Sequence, residues 1–402
     1  MHIVLLSEHG DPLIGGATHL TKKIASTIAS LGYRVTFIVP NSGSGSDETY
    51  QHSENFTIIK VRAIVPIDDR FQFRRGKRMD YAKSVDRFLK SYAEKETIHV
   101  IQVLSGTYLL RHLDVPHFQQ KGITVVAGLL NVPPQECSLS WKGDAFISYS
   151  KDELKKVFLK EINRQRIIHH PYDAYTVESE SVKRSLAAYV PPSKIHYIPL
   201  GTDETEPVIS IKHIHGAKQL LTAGGINPSK NQHIIPRIAN LLREKRLNFH
   251  WYIIGPDRNP RYKAFLEEEI KKWKVENIIT LISGLSKKEL MHYYSNTDIY
   301  VQTSIEEGFC MTALDAVVYG IPLVGINTGA IAEFIAKGKG ELVQNNIDAF
   351  AEAISTIFHN PQHYTYTKDE ILPIIAFYNW ERIGNEYVGL YDRIRAAQIA
   401  IN

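Results

Sequence analysis

Ile3-Val4-Leu5-Leu6 opens the chain as a continuous apolar run, and Gly15-Gly16 follows at the end of a polar loop. Leu20, Ile24, Ile28 and Leu31 then recur at helical spacing, Gly32 stops the helix, and Val35-Thr36-Phe37-Ile38-Val39 begins a second apolar run. A strand without polar alternation belongs to a parallel sheet covered on both faces. Glycine just past the last periodic residue is a helix stop. The stretch therefore reads as a βαβ unit with a right-handed crossover.

The same alternation continues outward from that unit. Strands are expected at Phe56–Val61, His99–Leu104, Thr124–Ala127, Ala174–Val177 and Lys194–Ile198, and helices at Lys83–Glu94 and Ser181–Ala188. Arg166-Ile167-Ile168 lies before Pro171, and His169-His170 reads as two side chains on opposite faces of a strand, which makes them no metal pair. A polar, acidic break at Gly201–Pro207 precedes a restart. Strands are expected at Leu220–Ala223, Phe249–Gly255, Ile278–Ile282, Ile299–Gln302 and Pro322–Gly325. Helices are expected at Asn231–Arg246, Pro260–Lys274, Lys287–Ser295, Thr312–Tyr319 and Ala330–Ile335. The pattern is α/β throughout, with two doubly wound parallel-sheet domains over residues 1–203 and 204–379. In such sheets a ligand binds at the carboxyl ends of the strands, and two facing domains leave a cleft between them.

Composition narrows the class. The chain has 402 residues, 44% hydrophobic and 10% aromatic, which suits two globular domains and excludes a disordered chain. No apolar run reaches the roughly 18 to 20 residues that cross a bilayer, and the first residues read as a strand rather than a signal peptide. Cys137 and Cys310 cannot build a disulfide framework or a zinc-finger set, so a reducing cytoplasm is the expected compartment. Net charge is +4, concentrated in the first half, where residues 1–200 carry 26 Lys and Arg against 20 Asp and Glu. No dense basic stripe or recognition module accompanies it, so nucleic acid is excluded as a partner. Arg70, Arg74, Arg75, Lys77 and Arg78, interleaved with Phe71 and Phe73, read either as a solvated loop or as a peripheral contact with an anionic inner plasma-membrane face. His213 and His215 share a face if extended, but a third metal ligand is missing.

The segment richest in chemistry runs Ser304-Ile305-Glu306-Glu307-Gly308-Phe309-Cys310-Met311-Thr312-Ala313-Leu314-Asp315 and on through Gly320-Ile321-Pro322. It is a strand end, a glycine turn, a helix and a turn into the next strand. The amides opening the helix form an anion site. Glu307 lies before the helix and Asp315 eight residues later, about two turns along. One carboxylate can meet each end of an extended ligand whose phosphates rest between them. Each residue also has a plainer reading: Glu307 as a helix cap, Asp315 as a solvated carboxylate, Lys230 as an exposed helix-start lysine, and Gly15-Gly16 as a tight turn. Cys310 at a helix start raises the option of a thiol nucleophile, but no partnered histidine accompanies it.

This segment resembles the E-x7-E region of retaining GT-B glycosyltransferases of the family 4 type, with Asp315 at the second acidic position. Further stretches are similar to family landmarks in the same order. They are Gly15-Gly16, Tyr197–Asp203, Thr222–Asn231, Ile253–Gly255, Ile282–Gly284, Ala330–Glu333 and Asn379-Trp380-Glu381 with Tyr391. The resemblance implies a GT-B fold of two Rossmann-like domains facing a deep cleft, with a final helix over about 380–402 crossing back to the first. It implies an acceptor-binding first domain and a nucleotide-sugar-binding second domain. By the resemblance, Glu307 would hydrogen-bond sugar hydroxyls, and Lys230 would neutralise the diphosphate in place of a divalent metal, so that no metal or other cofactor is needed. Gly308, Phe309, Cys310, Met311 and Thr312 would face the diphosphate, with Gly15, Gly16 and Gly225 also on the donor side. Asp315 would hold the ribose, Ile282 and Ser283 would border the base, and Asn131 is the nearest polar candidate on the acceptor side.

The sequence departs from the family pattern at four places. Gly225 stands where the family has an arginine, Cys310 where it has a second glycine, Asp315 where it has a glutamate, and Asn131 near the position of a missing histidine. Arg258 or Arg261, after Gly255, is a source for the missing cation. The expected function is sugar transfer with retention from an NDP-sugar, a UDP-sugar by family frequency, to a glycan, lipid-linked or small-molecule acceptor. The alternative is a catalytically silent GT-B subunit that assists a partner transferase. Sugar, acceptor and oligomeric state are not written in the sequence.

Overall fold

The computed structural model describes residues 1–8, 16–41, 46–62, 75–129, 167–168, 170–208 and 216–401. Two sheets carry the chain. The first has the order β3-β4-β2-β1-β5-β6-β7-β8. Its strands are β1 (His2–Ser7), β2 (Arg34–Asn41), β3 (Glu48–Ser53), β4 (Phe56–Arg62), β5 (Val100–Ser105), β6 (Thr124–Gly128), β7 (Ala174–Val177) and β8 (Ile195–Tyr197). The second has the order β11-β10-β9-β12-β13-β14. It comprises β9 (Lys218–Ala223), β10 (Phe249–Ile254), β11 (Ile279–Ile282), β12 (Ile299–Gln302), β13 (Leu323–Ile326) and β14 (Gly340–Val343). All six strands of the second sheet pair in parallel. Ile3, Val4, Leu5 and Leu6 are fully buried, as are Leu220 and Leu221 on β9. Both central strands are covered on both faces, as the unbroken apolar runs require.

Each sheet reverses direction once. In the first the chain moves outward from β1 through β2 and β4, then returns to build β5 on the other side of β1. In the second it moves from β9 through β10 to β11 and returns to β12. The crevices at the carboxyl ends of β1/β5 and β9/β12 are therefore the two topological switch points, where open α/β sheets bind ligands.

The first sheet is not wholly parallel as expected. β3 pairs with β4 antiparallel. It is the polar, mostly exposed edge strand Glu48-Thr49-Tyr50-Gln51-His52-Ser53, whose composition carries no buried-strand pattern. The stretch between β5 and β6 folds into two short helices, α3 (Thr107–His112) and α4 (Val115–Gln120), after α1 (Gly16–Ser30) and α2 (Arg75–Lys95). The strand expected around His169-His170 is absent where it can be described. Ile167 and Ile168 are helical, and His170 lies in a bend with its Nε2 3.0 Å from the Arg111 carbonyl. His169 lies outside the described residues.

Helix α5 (Glu180–Ala187) completes the first half. In the second half the long helix expected from Asn231 is broken. Pro228–Lys230 and Gln232–Ile234 are single 3-10 turns, Asn231 between them is left-handed at φ 56°, and α6 spans only Ile235–Glu244. Helices α7 (Pro260–Lys272), α8 (Lys287–Ser295), α9 (Met311–Val318) and α10 (Ile331–Lys337) follow. Beyond the expected elements come β14, α11 (Ile347–His359) and α12 (Lys368–Phe377). The last helix, α13 (Trp380–Ile401), returns to the first sheet. Gly384 lets it approach α1, since a Cβ there would fall 2.7 Å from Thr27 Cγ2. The Tyr391 hydroxyl donates to Gln102 Oε1, and Thr124 Oγ1 donates to Gln398 Oε1 at 2.7 Å. No helix among the described residues is long and apolar enough to cross a membrane.

Under α13 lies Glu178, just past β7, in a narrow space lined by Gln102, Leu104, Thr176, Ile198 and Tyr387. The residue is 2% exposed, and neither carboxyl oxygen has a hydrogen-bond partner among the described residues. Burial pushes its pKa up to about 8. The folded protein thus holds a proton that the unfolded chain has already released, and stability falls as pH rises from the ordinary carboxyl range toward 8. Glu178→Gln should flatten that loss, leaving the variant more stable than wild type by about 2 kcal/mol or more at pH 8.5. Urea unfolding at pH 5 and pH 8.5 checks this; an identical pH dependence in both proteins would remove Glu178 as its source.

Candidate functional site

The second switch point is built by three chain segments. Ala223 ends β9 and is followed by Gly224-Gly225; Ile254 ends β10 and is followed by Gly255; Gln302 ends β12 and is followed by the loop to α9. Gly224 N donates to Ile254 O at 2.8 Å and Gly255 N to Ile282 O at 3.0 Å. A Cβ on Gly255 would lie 1.8 Å from Gly224 O, so the two backbones touch and only glycine fits. The strand ends are thereby drawn into one narrow, backbone-lined floor.

Lys230 and Glu307 meet over that floor, with Nζ 2.6 Å from Oε1. Their loops are stitched together first. Asn227 Oδ1 accepts from Ser229 N (3.0 Å) and Ser229 Oγ (2.6 Å), fixing the turn that ends at Lys230. Thr303 Oγ1 donates to Lys230 O at 2.7 Å, and Ile305 N donates to Ser229 O at 3.0 Å. The pair is largely shielded, with side chains 24% and 9% exposed. Lys230 is thus not the exposed helix-start lysine of the plainer reading, and the Glu307 carboxylate pairs with a cation instead of capping α9. Burial pulls the Lys230 ammonium down, but the Glu307 carboxylate, with Glu306 adding to it, outweighs burial and holds its pKa above the usual lysine value.

Gln302 is the site residue that sequence reading passed over. Its Nε2 lies 2.6 Å from Glu307 Oε1, 2.8 Å from Ser304 Oγ and 3.1 Å from Cys310 Sγ. It fixes Glu307 from the side opposite the lysine. The available signal was a lone amide closing the apolar strand Ile299-Tyr300-Val301.

Cys310 caps α9 at φ 79°, a left-handed conformation that costs an L-residue about 1 kcal/mol. The glycine of the family pattern would adopt it freely, so the cysteine departure changes the side chain while the backbone keeps a glycine conformation. The thiol is buried; burial and then the Glu307 charge push its pKa up to about 12, which disfavours the thiol-nucleophile reading. Gly308 is buried, and Phe309 is 3% exposed with its ring packed edge-on against Phe334 and Tyr378 at 5.2 and 5.9 Å. The expectation that Phe309 faces a ligand is therefore corrected for its side chain, because an apolar ring gains more in that aromatic cluster. Met311 is half-buried, and Thr312 Oγ1 donates to Ala223 O at 3.1 Å, tying α9 to β9.

Asp315 stands along α9, half-buried and facing a second charge group. Burial pushes its carboxyl up to about 7, against the lowering effect of Lys287 and with Glu204 and Asp203 adding to the rise. Asp203 accepts from Lys287 Nζ at 2.8 Å and from Lys23 of α1 at 2.9 Å, joining the two halves of the chain. Glu333 makes a second such link. Its Oε1 accepts from Glu180 N and its Oε2 from the Tyr197 hydroxyl, both at 2.7 Å.

Ile282 ends β11 and, with Ser283, lies one strand beyond β10 at the outer side of the floor. Gly16 begins α1, while Gly15, Asn131, His213, His215 and Cys137 lie outside the described residues. So does most of the basic cluster. Arg78, its last member, is not a surface cation. Its guanidinium binds Glu8 with Nε to Oε2 at 2.7 Å and stacks on Tyr108, which corrects its place in a membrane contact. Glu8 is 1% exposed and also accepts from Leu109 N at 2.7 Å, closing the first switch point between β1 and β5.

Two family models match the chain in tandem. The model described as Glycosyltransferase Family 4 covers residues 14–206, and that described as Glycosyl transferases group 1 covers residues 206–371. Among curated proteins, a human phosphatidylinositol N-acetylglucosaminyltransferase polypeptide is 22% identical over 55% of this chain and 45% of its own length. The chain spans about half or less of the first such relatives it matches. Among solved structures, sucrose-phosphate synthase from Thermosynechococcus elongatus superposes with a TM-score of 0.79 at 18% identity, over 98% of this chain and 99% of that one. Anabaena HepE, solved with UDP and glucose, superposes with a TM-score of 0.67 at 15% identity, over 98% and 100%. With its two parallel-sheet domains and these two consecutive matches, the chain belongs to the GT-B glycosyltransferases of the family 4 and group 1 type.

Proposed function

We propose that this protein transfers a sugar, with retention, from a nucleoside-diphosphate sugar to an acceptor hydroxyl. The observation that carries the reading is the shielded Lys230–Glu307 pair at the second switch point, above the glycine floor and beside the start of α9. Breaking the bond from sugar to diphosphate develops negative charge on the leaving oxygen. A fixed ammonium and preoriented amides stabilise that charge without reorganisation. Lys230 supplies the cation, the role a divalent metal fills in other chemistry, so the reaction runs without metal. Glu307 accepts from hydroxyls of the sugar, oriented by Gln302. Asp315 accepts from the ribose, and the base lies toward Ile282 and Ser283. The acceptor, a glycan, a lipid-linked sugar or a small molecule, enters from the strand ends of the first sheet. It attacks from the face the diphosphate leaves, with the departing phosphate taking its proton. UDP is the proposed nucleotide, in keeping with the UDP and glucose held by Anabaena HepE. The cytoplasm is the proposed compartment.

Thermal unfolding with UDP, GDP, dTDP and ADP, without added metal, tests the donor site. A nucleotide at 100 times its Kd should add about 2.7 kcal/mol of stability, and Lys230→Ala should lose most of that response. Glu307→Gln should keep nucleotide binding and lower kcat by about 100-fold or more. If none of the four nucleotides stabilises the wild type, the donor-site reading is wrong.

The chemistry leaves Cys310 unused. Iodoacetamide at pH 8 should leave Cys310 unmodified in the native protein and alkylate it after unfolding, as read by mass spectrometry of its peptide. Rapid native labelling would contradict the buried, protonated thiol.

A further inference from the structure

Lys230 does not stand alone over the glycine floor. A Cβ built on Gly224 would lie 3.7 Å from Lys230 Cε and 3.9 Å from its Cδ. A Cβ built on Gly225 would lie 2.9 Å from Arg258 Cγ and 3.9 Å from Arg258 Cβ. Two cationic side chains from two different loops thus run along two successive glycines. The stem of Arg258 fills the space that a side chain on Gly225 would need.

The placement of Arg258 is set by its neighbours. Ile226 N donates to Pro256 O at 2.9 Å, and Ile226 and Asp257 form a parallel bridge, which fixes the loop to the end of β9. On the other side Asn259 caps α7, its Oδ1 accepting from Tyr262 N at 3.1 Å. Arg258 is held between these two anchored residues, exposed, and without an ion pair or hydrogen bond among the described residues. Lys230, by contrast, already has its charge matched by Glu307, and Glu306 stands next to it. A ligand carrying two phosphates therefore meets one compensated cation and two carboxylates. Its charge is balanced only if a second cation reaches the same glycines.

We infer that Arg258 is that second cation: it binds the diphosphate of the donor across Gly225, opposite Lys230. The inference rests on the donor-site reading above and adds to it the group that offsets the second phosphate charge. It also separates Arg258 from Arg261, the other cation that the sequence offered, which lies in the first turn of α7.

Calorimetric titration of the full chain tests the assignment. The probes are inorganic pyrophosphate, the four nucleoside diphosphates UDP, GDP, dTDP and ADP, and the matching nucleosides. Arg258→Ala should weaken the bound diphosphate and pyrophosphate by about 10- to 100-fold, the range of a lost charge-assisted hydrogen bond. It should leave nucleoside affinity unchanged. Arg261→Ala and Lys271→Ala should bind as wild type. Placing the cation back on the floor, as Gly225→Arg with Arg258→Ala, should restore part of the loss, whereas Gly225→Arg alone should weaken binding by colliding with the Arg258 stem. Equal diphosphate binding by wild type and Arg258→Ala, or equal loss for nucleoside and diphosphate, would overturn the role of Arg258 and leave the donor site standing. A larger loss in Arg261→Ala would do the same. Failure of the wild type to bind any of these anions would overturn the donor site itself.

Discussion

The contact between Lys230 and Glu307 is the constraint on which the second half of the chain turns. It joins a turn after β9 to the loop after β12, across the point where the sheet reverses direction. A charge pair removed from water is sustained only with good geometry and further hydrogen bonds. Here these come from Thr303 and Ile305 in the backbone stitching and from Gln302 beside the carboxylate. The broken helix follows from the same requirement. Had residues 228–234 continued as one α-helix into α6, Lys230 would be carried on the helix barrel. Left-handed Asn231 instead separates the turn bearing Lys230 from the helix and leaves that turn free to bond the opposite loop.

The two halves are held by polar links of a different kind. Asp203 sits in the connection between the sheets and takes an ammonium from each side, Lys23 and Lys287. Glu333 reaches from α10 to the Glu180 amide and the Tyr197 hydroxyl. These contacts are short and directional, and two of their partners, Lys23 and Lys287, are exposed enough to be screened by solvent. Helix α13 adds the larger apolar contact: Tyr387 and Tyr391 are buried on the first sheet. A buried helix return fixes which halves pair, and the few charged links at the cleft fix how they meet.

What the sequence made legible follows from where the information sits. Parallel strands and amphipathic helices are written locally, so β1, β9, β12 and α8 were readable, the last helped by its Ser286–Glu289 capping box. The polar edge strand β3 was not, because its pairing with β4 owes nothing to apolar periodicity. In the site, Glu307 and Lys230 were readable as residue types within motifs. Their 2.6 Å contact was not, nor was Gln302, because three segments far apart in sequence have to converge before either has meaning. Cys310 was legible as a departure from a glycine pattern. Its left-handed φ shows that the backbone demand survives the substitution.

The glycine-to-arginine exchange carries the same lesson further. Read along the chain, Gly225 is a missing charge. In space, the missing side chain is what admits the stem of Arg258 from the neighbouring loop. Side-chain volume over a backbone floor is a shared resource, and it can be filled from either strand that borders the floor. A departure from a motif at such a position therefore does not by itself remove the chemistry. On the reading proposed for this site, an incoming diphosphate competes with Glu307 for Lys230. A second cation beside the floor lets the phosphates bind while the carboxylate turns to the sugar. The ion pair is then the resting arrangement of two groups that separate their tasks when the donor arrives.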